Sequence, residues 1–159
     1  MQLVLLAGDG SNVGKTALGE RLVAELSSRG LRVAVVKHVH HGVDYRVKDT
    51  GRYLSAGAGR VVAVGPGSWM LVSPGRLGFW EAVELAAEGG VDVVLVEGFR
   101  DHVSVVLSAG GCVAYLGSQC PGAAGGGRLV CAPRLGVEEA LPRLLGLLSL
   151  GACRLRSKG

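Results

Sequence analysis

Residues 8–16 read Gly8-Asp9-Gly10-Ser11-Asn12-Val13-Gly14-Lys15-Thr16, a glycine-rich stretch that ends in Gly-Lys-Thr. It follows the apolar run from Leu3 to Ala7 and precedes a segment with helical periodicity. A glycine-rich loop between a strand and a helix lets backbone N–H groups converge on an anion, which the helix dipole also attracts. Lys15 would reach the β- and γ-phosphates, and the Thr16 hydroxyl would ligate a magnesium ion bound to them. The stretch therefore predicts a phosphate-binding loop.

The loop departs from the strict pattern GxxxxGK[ST] at one position. That pattern requires glycine at position 9, where this chain has Asp9, so the sequence fits GxxxxxGKT beginning at Gly8. The alternative is an ordinary strand-to-helix turn, but GKT between an apolar strand and an amphipathic helix favours phosphate binding. A bound nucleotide is expected to contact Gly10, Ser11, Asn12, Val13, Gly14, Lys15, Thr16 and Ala17.

Length and composition indicate one globular domain, a P-loop nucleotide-binding domain covering residues 1–159. Of the 159 residues, 48% are hydrophobic and 19% are charged, which is enough apolar material for a sizeable core. No apolar run is long enough to span a membrane, and the run before the loop is too short for a signal peptide, so a cytoplasmic location is expected. The formal net charge of +4 suits an anionic partner, but the chain has no nucleic-acid-binding motif.

The chain has four cysteines, and none has the CxxC spacing of a zinc site. Buried or free thiols are the expected state. A disulfide is the open alternative, because such bridges occur inside the cells of hyperthermophiles, and the spacing does not choose the pair. The cysteines are Cys112, Cys120, Cys131 and Cys153.

Apolar periodicity predicts an α/β chain. Leu18, Leu22 and Leu26 repeat at helical spacing after the loop, and residues 31–36 form an apolar run typical of a strand covered on both faces. With the first strand they make a βαβ unit, which indicates a three-layer P-loop NTPase fold with a mainly parallel central sheet. Further strands are predicted at residues 60–64, 69–73, 91–96, 103–107, 113–116 and 129–131, helices at 50–58, 79–88 and 137–149, a flexible loop at 118–127 and a basic tail at 154–159.

Charged residues stand at the carboxyl ends of two predicted strands. Lys37 begins a polar segment after the second strand, and Glu97 follows the strand at residues 91–96. Ligands of open α/β sheets bind at this edge. An unpaired carboxylate at the end of a buried strand is costly, so Glu97 is expected to face a cation and, with Lys15, to be a catalytic residue. Thr16, Asp49 and Glu97 are the predicted protein ligands of Mg²⁺.

The polar segment also has plainer interpretations. Asp49 would serve equally well as a helix N-cap, and Lys37 as a solvated lysine at a strand end. Imidazoles at i and i+2 of an extended segment point to the same side and could share a transition metal, but histidines near phosphates more often donate hydrogen bonds to anions. Lys37, His38, His40 and His41 are therefore predicted to bind the nucleotide.

The order of four motifs resembles that of the MobB family of molybdopterin-guanine dinucleotide biosynthesis adaptor proteins. The motifs are GKT at 14–16, KHVHH at 37–41, KDTGRYLSAGA at 48–58 and LVEGFR at 95–100. The resemblance implies a GTP-binding P-loop protein, a homodimer with weak GTPase activity. It also implies a role beside the MobA-type guanylyltransferase that attaches GMP to molybdopterin.

The resemblance also assigns residues to the site. It implies that Gly14, Lys15 and Thr16 bind the phosphates and Mg²⁺, and that Glu97 acts near the metal. The family often has aspartate where this chain has Val39, so any role of that carboxylate is absent here. The residues that the resemblance places along the site are Lys37, His38, His40, His41 and Asp49.

A second resemblance leaves the base and the reaction open. Dethiobiotin synthetase and the cobyrinic acid amidases share the GxxxxxGKT spacing, a lysine after the second strand and a VEG strand end, and they phosphorylate a substrate carboxylate with ATP. The motifs KHVHH at 37–41 and AGA at 56–58 favour the MobB family over these enzymes. The chain has no NKxD motif, which recognises guanine, so the expectation of guanine depends on the resemblance alone and ATP remains an alternative nucleotide. The alternatives are an ATP-dependent kinase or synthetase and a nucleotide-gated interaction module without turnover.

Overall fold

The computed structural model describes residues 1–40, 42, 48–122 and 128–156. These residues form two compact units, one made of Met1–His38 and Phe79–Gly159, the other of Val39–Gly78. Parts of the predicted flexible loop and basic tail, residues 123–127 and 157–159, lie outside the described residues. In chain order the elements are β1 (Gln2–Gly8), α1 (Lys15–Ser28), β2 (Val33–Lys37), α2 (Lys48–Ser55), β3 (Val61–Val64), β4 (Trp69–Val72), α3 (Phe79–Ala87), β5 (Val93–Glu97), a 3-10 turn (Arg100–His102), α4 (Val103–Ser108), β6 (Cys112–Leu116), β7 (Leu129–Ala132) and α5 (Val137–Ser149).

The first unit is built on a five-stranded sheet in the order β2-β5-β1-β6-β7. Each pair of neighbours in it is parallel. Leu6 of β1 lies opposite Glu97, and Gly8 lies opposite Leu116. Since the strands are parallel, the loops that follow them leave from one edge of the sheet.

Two hydrophobic clusters cover the two faces of this sheet. Val4 and Leu6 of β1 face the first cluster, which contains the apolar faces of α1 and α5. Leu3 and Leu5 face the second cluster, to which α3 and α4 contribute. The predicted three-layer α/β fold with a mainly parallel sheet is thereby confirmed. Within the described ranges, no helix combines the length and the apolar character needed to cross a membrane.

Helix α1 has the apolar face that the sequence predicts. Leu18, Leu22 and Leu26 are at most 2% exposed and lie in the first cluster. The helix ends at Ser28, and the N–H of Gly30 donates to the carbonyl of Ser27 at 2.9 Å. The helix thus connects the loop to the core at several points along its length.

Strand β2 lies at the edge of the sheet, so the prediction that it is covered on both faces is wrong. Among the described strands it pairs with β5 alone, and Val35 is 52% exposed. A run of β-branched residues favours an extended backbone whether the strand is central or at an edge. The apolar run therefore identified the strand but not its position.

Residues 103–107 belong to helix α4, and the strand predicted there is wrong. Val103, Val106 and Leu107 are buried at helical spacing, while Ser104 and Val105 are exposed. β-Branched residues favour strands, but tertiary burial of one helical face overrides that preference. A crossover element is also required here, because α4 connects the parallel strands β5 and β6.

The second unit contains α2 and the antiparallel pair β3 and β4. Val61 lies opposite Val72, and the turn between the strands is closed by the N–H of Gly65 donating to the carbonyl of Ser68 at 2.8 Å. Both predicted strands are confirmed. Helix α2 begins at Lys48, so Asp49 lies in its first turn and the N-cap interpretation is wrong.

Two disulfides replace the expected thiols. Cys112 pairs with Cys153 and Cys120 pairs with Cys131, with Cα–Cα distances of 4.9 and 6.0 Å. The first bridge connects β6 to the segment after α5, 41 residues away in sequence. The sequence alone did not choose these pairs, because the folding of the chain brings together β6 and the segment after α5, and the loop after β6 and β7.

Replacing Cys112 and Cys153 together with alanine should lower the free energy of unfolding by about 4 kcal/mol, the loop-closure value for a 41-residue separation. Urea denaturation of the variant and of the oxidised wild-type protein would measure this loss. The double variant of Cys120 and Cys131, whose separation is 11 residues, should lose about 3 kcal/mol. Identical wild-type curves with and without dithiothreitol would show that neither bridge contributes.

Candidate functional site

In the loop between β1 and α1, the backbone N–H groups at the helix start have no hydrogen-bond partner among the residues that the structure describes. Asn12 and Gly14 have left-handed φ values of 56° and 100°, and the helix begins at Lys15. Within the described part of the chain, no acceptor pairs with the N–H groups of residues 13–17. Gly10 and Ser11 are exposed in the same loop. Converging free N–H groups at a helix N-terminus form a site for an anion.

Two predicted site residues, Thr16 and Lys37, contact the side chain of a third, Glu97. The Thr16 hydroxyl donates to Glu97 Oε1 at 2.8 Å, and Lys37 Nζ lies 3.5 Å from Glu97 Oε2. The Glu97 side chain is 15% exposed, so this carboxylate is held between a hydroxyl and an ammonium group in a largely covered position. The Lys15 ammonium folds back over the loop and donates to the carbonyl of Gly10.

This donor set fits a phosphate group that carries a magnesium ion. Mg²⁺ prefers hydroxyl, carboxylate and phosphate oxygens. Thr16 and Glu97 bring a hydroxyl and a carboxylate to one point, beside the free N–H groups of the helix start. Lys15 would exchange its contact with the Gly10 carbonyl for phosphate oxygens. The residues present therefore suit a phosphate group and a magnesium ion bound to it.

His38 is placed beside Glu97 by the sheet. Its backbone N–H donates to the Glu97 carbonyl at 2.9 Å, and its ring stacks on Phe99 with centroids 4.4 Å apart. The first unit thus brings together Thr16, Lys37, His38 and Glu97, which are 81 residues apart in sequence at most.

The remaining predicted residues are not placed at this point. His40 and Asp49 belong to the second unit, where the Asp49 carboxylate lies 3.9 Å from the Arg52 guanidinium and both side chains are exposed. His41 lies outside the described residues. In the ranges that the structure describes, no three His, Cys, Asp or Glu side chains form a cluster suited to a metal. The predicted roles of these three residues stay predictions.

Asp9 is a site residue whose role the sequence reasoning missed. Its carboxylate accepts hydrogen bonds from the Tyr115 hydroxyl at 2.9 Å, the Ser118 N–H at 2.6 Å and the Ser118 hydroxyl at 3.2 Å. Burial raises the pKa of this carboxyl, but the hydrogen bonds from Ser118, Tyr115 and the Gln119 N–H outweigh it and hold the pKa below its usual value. Asp9 therefore connects the phosphate loop to the end of β6. The sequence signal for a special role at this position was that Asp9 replaces the glycine of GxxxxGK[ST].

Asp9→Asn should lower the melting temperature at pH 7 by about 2 °C and leave the fold intact, because the amide makes weaker bonds. The pKa of the Asp9 carboxyl is lowered in the folded chain, so its contribution is present above pH 3.8 and is lost as the pH falls through the lowered pKa. Melting curves from pH 7 to pH 2.5 should show the difference shrinking below pH 3.8. The control is Asp101→Asn, an exposed carboxylate. A difference independent of pH would contradict the role of the Asp9 charge.

The loop after β7 also contacts the phosphate loop. The N–H of Leu135 donates to the carbonyl of Val13 at 2.9 Å, and a Cβ on Gly14 would lie 3.2 Å from Leu135 Cα. Leu135 has a left-handed φ of 59°. No sequence motif pointed to this contact, because the two residues are far apart along the chain.

The profile of a known family matches this chain. It is described as molybdopterin guanine dinucleotide synthesis protein B and matches residues 3–107, more than half of the chain. The chain belongs to the MobB family. The match includes the phosphate loop, Lys37 and Glu97, whereas Tyr115, Ser118 and Leu135 lie beyond the matched residues.

Individual MobB proteins agree with this assignment. The molybdopterin-guanine dinucleotide biosynthesis adapter protein of Haemophilus influenzae is 47% identical over 60 residues, which is 36% of this chain and 34% of that protein. The match thus spans about a third of the relative's length.

Solved MobB structures share the fold. Bacillus subtilis MobB gives a TM-score of 0.60 at 19% identity, with 99% of this chain and 100% of that chain covered. The MobB homologue of Bacillus stearothermophilus gives 0.58 at 22% identity, with 94% and 99% covered. A further molybdopterin-guanine biosynthesis protein B structure gives 0.56 at 24% identity, with 92% and 99% covered. At these identities the likeness concerns the fold.

Proposed function

We propose that this chain binds GTP together with Mg²⁺ at the phosphate loop and acts in the biosynthesis of molybdopterin guanine dinucleotide. The hydrogen bond of 2.8 Å between the Thr16 hydroxyl and Glu97 carries the proposal. It brings together a hydroxyl and a carboxylate, which would ligate Mg²⁺, beside N–H groups that would hold the phosphates. An ordinary strand-to-helix turn would not need a carboxylate from a distant strand at this point.

Each residue of the cluster has a separate task in this proposal. The N–H groups of residues 13–17 and the Lys15 ammonium would bind the phosphate oxygens. Thr16 and Glu97 would hold Mg²⁺, which when bound neutralises charge on the β- and γ-phosphates. Lys37, 3.5 Å from Glu97, would orient that carboxylate or bind a terminal phosphate oxygen. His38 would line the same edge.

Hydrolysis of GTP would be slow in this arrangement. Phosphoryl transfer depends on positioning and on charge stabilisation rather than on a covalent intermediate. Lys15 would stabilise charge on the phosphates, and Glu97 would act through the metal side of the site. The Glu97 carboxylate is already occupied by Thr16 and Lys37, which leaves it little freedom to activate water.

The wider role is supported by membership of the MobB family and by the likeness to the adapter protein of Haemophilus influenzae. The chain would act as a cytoplasmic homodimer beside a MobA-type guanylyltransferase and its molybdopterin substrate. A nucleotide-dependent adapter of this kind needs two binding surfaces, one for the nucleotide and one for the enzyme. Pull-down of the guanylyltransferase in the presence and absence of GTP would test the second.

Thermal shift tests the nucleotide directly. GTP with Mg²⁺ at about 100 times Kd should raise the melting temperature by about 5–10 °C, since binding at that concentration adds about 2.7 kcal/mol. EDTA should remove most of the shift. An equal or larger shift with ATP would replace GTP by ATP in the proposal, and no shift with any nucleotide would overturn it.

A further inference from the structure

The switch point of the sheet, where open α/β sheets have a crevice outside the carboxyl ends of their strands, lies between β1 and β6. From β1 the chain passes through α1 to β2 on one side of the sheet, whereas from β6 it passes to β7 on the other. Ligands of open α/β sheets bind where successive connections leave in opposite directions. The loop after β6 is fixed to this crevice, because the Ser118 N–H donates to Asp9 at 2.6 Å.

In the proposed nucleotide site, the carboxylate that would hold Mg²⁺ lies on the opposite side of β1 from this crevice. Glu97 and Lys37 end β5 and β2, which are on one side of β1, while β6 and β7 are on the other. A nucleoside triphosphate is an extended molecule with its terminal phosphate and its base at opposite ends. If the terminal phosphate lies toward Glu97, the base must lie toward the ends of β6 and β7. This step rests on the proposed function.

Leu135 is the apolar side chain at that end. It is 70% exposed, although its backbone is bonded to the phosphate loop through Val13. Its Cδ2 atom would lie 3.6 Å from a Cβ on Gly14, so the side chain extends along the outer surface of the loop.

The backbone of Leu135 is strained for a leucine. A left-handed φ of 59° costs a non-glycine residue about 1–2 kcal/mol, and such strain is often found at ligand sites. Here the strain holds a large apolar group in solvent beside the phosphate loop, where nothing in the folded chain covers it among the described residues.

We infer that Leu135 is the platform on which the base of the nucleotide lies. The planar face of a purine would cover the exposed side chain, while the loop at Ser118, tied to Asp9, would form the wall of the crevice. The contact is apolar and does not choose between guanine and adenine. It accounts for a base site in a chain that has no NKxD motif.

Leu135→Gly tests this inference, because glycine accepts the left-handed backbone and removes only the side chain. The full-length protein is titrated by calorimetry with GTP and with inorganic tripolyphosphate, each with Mg²⁺. GTP affinity should fall about tenfold, as expected for losing an apolar contact of this size, while tripolyphosphate affinity should not change. Leu150→Gly, which removes a leucine 82% exposed at the far end of α5, should change neither.

The other outcomes are distinguishable. Equal losses for GTP and tripolyphosphate would show that Leu135 shapes the phosphate loop itself and would overturn the base platform. Unchanged binding of both would overturn it as well. Failure of the wild-type protein to bind either compound would contradict the proposed function, and this inference with it.

Discussion

Lys15→Ala is expected to lower the affinity for GTP with Mg²⁺ by at least about 100-fold, or about 2.7 kcal/mol. In the structure the Lys15 ammonium donates to the Gly10 carbonyl of the same loop. Its charge would be the main fixed positive charge within reach of the β- and γ-phosphates, because Lys37 is already paired with Glu97. Isothermal titration calorimetry would measure the loss.

A matched control separates the site from a general effect of charge. Arg29→Ala also removes one positive charge, at the residue that follows α1. Arg29 pairs with Glu25 on the surface at 3.2 Å, at the end of the helix far from the loop. Its effect on GTP affinity should stay below about threefold, since exposed ion pairs contribute little. If Lys15→Ala kept wild-type affinity, the loop would be a structural turn.

Glu97→Gln is expected to reduce GTP hydrolysis by at least about 100-fold, the range seen when one electrostatic contributor to a transition state is removed. The amide keeps the size of the side chain and can still accept the hydrogen bond from Thr16. It removes the negative charge that would hold Mg²⁺ and that attracts Lys37. Single-turnover hydrolysis across a Mg²⁺ titration would measure both the rate and the metal requirement.

The metal titration distinguishes a ligand from a structural residue. A Glu97 that binds Mg²⁺ should, when changed to glutamine, raise the concentration of Mg²⁺ needed for half-maximal GTP binding about tenfold or more. GTP binding in EDTA should change by less than about threefold. Glu84→Gln, on the exposed side of α3, should leave both unchanged. An unaltered Mg²⁺ requirement in Glu97→Gln would remove Glu97 from the metal site.

Local patterns predicted the parts of the fold that depend on local energetics. The spacing of Leu18, Leu22 and Leu26 predicted α1, because burial of one helical face repeats every three or four residues. The apolar runs at β1 and β5 predicted strands, and both strands are buried. For α4 the local preference of Val103 and Val105 favoured a strand, and the crossover between β5 and β6 overrode it.

Part of the candidate site could also be predicted. Thr16, Lys37 and Glu97 stand directly after or within elements that the sequence identifies, and parallel strands bring their carboxyl ends to one edge. Asp9 and Leu135 could not be found in this way. The partner of Asp9 is Ser118, 109 residues away, and the partner of Leu135 is Val13. Such contacts depend on which strands become neighbours, and no local pattern records that.

Residue types at fixed local spacing were enough to predict the glycine-rich loop at residues 8–16, the helix that follows it and the carboxylate at the end of β5. The three-dimensional fold was needed to show that β2 is an edge strand, that the four cysteines form two disulfides and that the loops after β6 and β7 bond to Asp9 and Val13. These features depend on the strand order, because hydrogen bonding between non-consecutive strands brings distant residues together. The energy of that bonding depends on the whole sheet rather than on any one segment.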